Sequence, residues 1–177
     1  MFFIPGPLIT ALTFPGVIVH EMAHQLFCRL CNTAVLDVRY FRLGNPAGYV
    51  LHEHPATGLQ QILIGTGPFV VNTVIGAIVS LPASIQTLQF DAGTPLDYVL
   101  IWLGISIAMH AFPSTGDAKS LRAAVSGKDV AIGTKLLVYP IVGIIYLGAM
   151  GSMIWLDAIY AFGVTLALPK LLVAAFA

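Results

Sequence analysis

Apolar residues run through this chain in long blocks instead of alternating or forming one narrow helical stripe. Five blocks stand out: Phe2–Cys28, Leu59–Pro82, Leu96–Phe112, Leu136–Leu156 and Ala158–Phe176. A helix needs ~20 apolar residues to cross a bilayer, so the pattern predicts an all-α multi-pass membrane protein with about five transmembrane helices. The third block is short for a crossing, and only a tight turn near Asp157 parts the fourth from the fifth. Pro5, Pro7 and Pro15-Gly16 interrupt the first block. Its regular helix is therefore expected to start near Pro15, since proline suits a first helical turn. Between the first two blocks the pattern changes. Leu36, Val38 and Tyr40 alternate within Val35–Leu43, the stretch Gly44-Asn45-Pro46-Ala47-Gly48 is rich in turn formers, and Tyr49–Glu53 is again β-prone. This reads as a small β-hairpin, which must lean on the helices or the lipid headgroups to be stable.

Composition strengthens the membrane reading. The 177 residues are 58% hydrophobic and only 9% charged, with a mean hydropathy of +0.90, where soluble domains carry roughly 25% charged residues. One integral-membrane domain over residues 1–177, surrounded by the lipid bilayer, is expected. Eight basic and eight acidic residues cancel, which leaves no footprint for nucleic acid. Cys28 and Cys31 are too few for a disulfide framework and read as small residues at the end of the first span. The opening segment has no basic n-region or small-residue cleavage site, so it reads as the start of a retained helix. Arg29, Arg39 and Arg42 follow the first block, and Lys119, Arg122, Lys128 and Lys135 follow the third; Ala83–Pro95 and the turn near Asp157 hold no lysine or arginine. By the positive-inside rule the first two segments lie on the cytoplasmic side of the cell membrane.

Against this background His20-Glu21-Met22-Ala23-His24 is out of place. An acidic residue in mid-span costs on the order of 2.5–3.5 kcal/mol. A histidine pair one turn apart on one helical face can bind zinc, with the intervening glutamate able to take a proton from water. A buried His/Glu hydrogen-bonded pair would not need the second histidine. Catalytic zinc usually takes three protein ligands, and Asp117 is the best third. The first and third spans run in the same direction, so the cytoplasmic ends of both meet at one membrane face, and Pro113 and Gly116 break the chain there. Spacing leaves Asp117 equally readable as the N-cap of a short helix over Ala118–Val125. His110 is a rival ligand, and so are His52 and His54, which alternate onto one face of the second strand.

The chain resembles the site-2 protease family of intramembrane zinc metalloproteases. The resemblance rests on His20-Glu21-Met22-Ala23-His24 in an apolar helix, on Gly67-Pro68-Phe-Val-Val-Asn72 in the next span, and on Asp117 after a proline. It covers the first three spans. Three residues separate Pro68 from Asn72 and alanine follows Asp117, so the likeness is to a small, divergent member without a PDZ domain. It implies zinc held by His20, His24 and Asp117, Glu21 as general base, and Asn72 as an oxyanion donor. It further implies that a membrane-protein or peptide substrate pairs with the hairpin strand Val35–Leu43. The function expected is hydrolysis of a peptide bond in or beside a transmembrane segment, with the active site towards the cytoplasm. A non-proteolytic metal-binding scaffold and a small metal carrier are the alternatives, although no two related halves of the kind carriers show are visible.

Overall fold

A computed structural model describes residues 6–126 and 131–176. The start of the first apolar block, Phe2 to Pro5, and Lys128 of the basic set lie outside them. In chain order the elements are α1 (Gly6–Leu12), α2 (Phe14–Leu30), β1 (Val35–Arg39), β2 (Tyr49–His52), α3 (Gly58–Gln89), α4 (Pro95–Met109), α5 (Thr115–Val125) and α6 (Ile132–Gly151). A short 3-10 turn at Ser152–Ile154 leads to α7 (Leu156–Phe162), a π-helical turn at Gly163–Ala167 and α8 (Leu168–Phe176). The protein is predominantly helical with one two-stranded antiparallel hairpin.

The first block splits as its prolines suggest. α1 stops at Leu12, the Thr13 hydroxyl bonds back to the Ile9 carbonyl at 2.8 Å, and α2 restarts with Pro15 in its first turn. α3 is longer than expected. Its 32 residues run straight through Pro82, opened by a capping box at Thr57 and Gln60, and span about 48 Å at 1.5 Å per residue. The break between the last two blocks falls at Trp155, which adopts a left-handed conformation (φ 63°), not at Asp157. The first strand ends at Arg39 instead of Leu43, because Tyr40 onward turns back to bring the Arg42 amide onto the Ala47 carbonyl at 2.7 Å.

Among the described residues, two helices have the length and apolarity to cross a membrane, Gly58–Gln89 and Leu156–Ala175. That corrects the expectation of about five. α4 has 15 residues, about 22 Å of helix against a hydrocarbon core of ~30 Å. The apolar part of α6, Ile132–Gly148, is also short, and α2 spends its 17 residues partly on His20, Glu21, His24 and Arg29.

α3 is the central helix, packed most extensively against α4 and next against α2. Small residues let α3 and α4 touch backbone to backbone. A Cβ on Gly104 would sit 2.6 Å from Ser80 Cβ, and one on Gly76 would sit 3.0 Å from the Gly104 carbonyl, the close approach typical of small-xxx-small crossings. A separate apolar core joins Ile62 of α3, Ala118, Leu121 and Val125 of α5, and Val138, Val142 and Ile145 of α6, which moors α5 beside the site. Outward faces are apolar too: Val70, Val74 and Ile78 on α3, Val99 and Trp102 on α4, Leu136, Ile144 and Leu147 on α6 are all exposed.

α2 meets α4 at Gly16. The Gly16 amide donates to Ser106 Oγ at 3.1 Å, and a methyl group there would lie 2.0 Å from the Ser106 carbonyl oxygen and 2.6 Å from His110 Cδ2. Gly16→Ala is expected to cost about 1–3 kcal/mol through overpacking and to lower the thermal midpoint measured in detergent. An unchanged midpoint would mean that the two helices part without penalty.

Candidate metal centre

The centre is built from α2, the interrupted part of α3, and the junction of α4 with α5. His20 and His24 are one helical turn apart on the buried face of α2, 8% and 6% exposed, and Glu21 beside them is 8% exposed. Each ring is fixed by a backbone carbonyl. His20 Nδ1 donates to the His110 carbonyl at 2.7 Å, and His24 Nδ1 donates to the Ile64 carbonyl at 2.9 Å. Both acceptors exist for a reason visible in the chain. His110 ends α4 as its C-cap, so its carbonyl has no intrahelical donor. Ile64 lies four residues before Pro68, and proline has no N–H to give back to it.

With both Nδ1 atoms donating, both Nε2 atoms carry lone pairs, and these face each other at 3.1 Å. Asp117 Oδ1 stands 3.3 Å from His24 Nε2. Three acceptor atoms so close require a cation among them, either a proton on His24 Nε2 or a metal ion. Ligand atoms at ~2.05 Å from tetrahedral zinc are separated by roughly 3.3 Å, which matches both distances. Ligand atoms of His20, His24 and Asp117 all lie within 4.8 Å of one another, so this group can hold a metal ion.

The two oxygens of Asp117 have different surroundings, which makes a capping role and a place beside His24 compatible. Ser114, not Asp117, is the N-cap of α5, and Asp117 is the third residue of a capping box. Its Oδ2 accepts from the Ser114 amide at 2.7 Å and the Ser114 hydroxyl at 2.7 Å, which leaves Oδ1 for His24. Burial pushes the pKa of this carboxyl up, but the charge and hydrogen bond of His24, then His20 and Ser114, outweigh it and hold the group well below the usual carboxylate range. Asp117 is thus an anion, as a ligand must be.

The rival histidines are occupied elsewhere. His110 Nε2 pairs with Thr13 Oγ1 at 2.8 Å, and His52 Nδ1 with the Glu53 carbonyl at 2.7 Å. His54 is exposed and lies beyond the end of β2. Among the described residues none of them joins the His20, His24, Asp117 group. Asn72, the expected oxyanion donor, stands behind the centre among backbone carbonyls. It is fully buried and absent from the walls of the cavity described below. Its Nδ2 lies 3.0 Å from the Ile107 carbonyl, 3.2 Å from that of His110 and 3.2 Å from that of Gly16. It therefore ties α3 to α2 and to the otherwise unsatisfied end of α4, and it shares the His110 carbonyl with His20. Cys28 and Cys31 are free thiols buried with Ile64 in an apolar cluster, and neither belongs to the His20, His24, Asp117 group.

A cavity of about 620 Å³ opens onto the centre, lined among others by His20, Glu21, His24, Phe112 and Asp117. Ser114 and Thr115 also stand in its wall. Part of the wall had no counterpart in the sequence reading: the hairpin turn supplies Asn45, Pro46, Ala47 and Gly48. This turn is braced by Arg42, whose Nε donates to the Pro46 carbonyl at 2.8 Å and whose guanidinium lies over the Tyr49 ring. A second groove, about 480 Å³, lies between β1 and the end of α2 and is lined by Gln25, Arg29 and residues 35–38. Among the described residues β1 pairs with β2 alone, which leaves its other edge open, and Val35, Leu36, Asp37 and Val38 of β1 line this groove. Compared with protein families, characterised proteins and solved structures, the chain matches none.

Proposed function

We propose that the chain is an intramembrane zinc metalloendopeptidase of the site-2 protease kind, cleaving a peptide bond in or next to a membrane-spanning segment of its substrate. The observation that carries this reading is the pair of Nε2 atoms facing each other at 3.1 Å, oriented by backbone carbonyls, with a glutamate next in sequence and a carboxylate oxygen alongside. Zinc held by His20, His24 and Asp117 would act as a Lewis acid and bring the pKa of water towards ~7. Glu21 takes the proton of the attacking water and returns it to the leaving amine. α3 and Leu156–Ala175 cross the cell membrane, and α2, α4 and α6 pack against them with their apolar outer faces towards lipid. The site faces the cytoplasm, at the end where Arg29, Arg39, Arg42, Lys119 and Arg122 gather. A substrate helix must unwind to present its scissile carbonyl, and pairing of the freed strand with the open edge of β1 replaces the hydrogen bonds it gives up.

Elemental analysis of the protein purified in mild detergent is expected to find one zinc per chain. A chelator should remove the ion together with cleavage of a transmembrane-segment substrate, and added zinc should restore both. A metal-free protein with an unchanged centre would mean that the cation among the three ligands is a proton, and the enzyme reading would fall.

A further inference from the structure

The hairpin turn meets Glu21 at Gly48. This glycine is buried, whereas Gly44 at the other end of the turn is exposed. A Cβ built on Gly48 would lie 2.6 Å from Glu21 Cγ, 2.9 Å from Glu21 Oε1 and 3.0 Å from the Tyr40 carbonyl oxygen. The same atom on Gly44 would meet nothing nearer than Arg42 Nε at 3.9 Å. Backbone conformation does not demand glycine at either place, since no described glycine has a positive φ. What Gly48 provides is the absence of a side chain.

The turn cannot simply back away from an added methyl group. Besides the Arg42 bonds, the Phe41 ring packs on Phe14 at the start of α2 with centroids 5.7 Å apart, and the Tyr40 hydroxyl donates to Gln25 Oε1 further along the same helix. With the turn held to α2 on both sides, the mobile partner in the contact is the Glu21 side chain. We infer that Gly48 is a positioning residue for Glu21: its bare Cα closes on the glutamate and fixes where the carboxylate stands in the cavity. The inference rests on the proteolytic reading for its catalytic consequence, but not for the contact itself.

Gly48→Ala therefore displaces the general base without touching a metal ligand. Bound zinc per chain and KM stay as in the wild type, while kcat falls by about 10²-fold, the cost of a misplacement near 1 Å; Gly44→Ala leaves all three unchanged. The contact is read independently by a double-mutant cycle on the thermal midpoint. Gly48→Ala lowers the midpoint of the wild type but not that of Glu21→Ala, where the obstructing side chain is gone. Failure of Gly48→Ala to fold alone, with folding regained in the Glu21→Ala background, gives the same answer. A full kcat in Gly48→Ala, an equal loss in Gly44→Ala, or an equal midpoint loss in both backgrounds would overturn the inference. A wild type that cleaves no peptide removes the proteolytic reading and leaves the midpoint cycle to decide the contact.

Discussion

Glu21→Gln is expected to keep its zinc and lose peptide hydrolysis by about 10²–10⁴-fold, the range that a positioned general base contributes. The substitution is nearly isosteric, which matters because Glu21 is buried between α2 and Gly48; glutamine occupies the same space with the same contacts. What it cannot do is accept a proton from water. The candidate ligand atoms belong to His20, His24 and Asp117 and are unaltered, so metal content measured beside turnover separates binding from chemistry. Turnover at the wild-type rate would remove Glu21 from the mechanism and favour a scaffold or carrier, for which the glutamate is dispensable.

Asp117→Asn should separate the two duties of this residue. Asparagine can still offer one oxygen to the Ser114 amide and hydroxyl, the bonds now made by Oδ2, so α5 keeps its first turn. It cannot offer an anion to the ion beside His24. Zinc affinity, titrated against a competing chelator, is expected to fall by more than the ~10–100-fold that loss of an outer hydrogen-bond partner costs, with helical content unchanged. Asp117→Ala should lose the capping box as well, at about 1 kcal/mol. Full affinity in Asp117→Asn would show that the carboxylate is a cap and no ligand.

The histidine pair was legible because a period of four residues is enough to place two side chains on one helical face. Asp117 was legible only as far as direction goes: expecting the first and third apolar blocks to run the same way puts it at the right end, but spacing says nothing of how a carboxylate divides its oxygens. Its dual role follows from the Ser114–Asp117 box, which turns Oδ1 towards His24. The span count failed for a different reason. Block length on a hydropathy pattern does not register where hydrogen-bonded helix begins and ends, so Leu96–Phe112 looked longer than α4 proves to be, and Pro82 looked like a stop that α3 ignores. Asn72 drew its expected role from likeness to a motif, and in the fold it is spent on backbone carbonyls. The hairpin turn's place in the cavity wall depends on tertiary contacts between Tyr40, Phe41 and α2, for which no local signal exists. One clue was available: a proline four residues after Ile64 implies an unclaimed carbonyl in a buried helix.

That unclaimed carbonyl has a consequence for how the ion is received. His24 is held by Ile64 and His20 by His110 without any help from a metal, so the rotamer freedom of both rings is surrendered during folding and not at the moment of capture. Binding of a metal ion would then carry little ordering entropy, and the site would act as a rigid socket whose selectivity comes from the fixed separation of its donors.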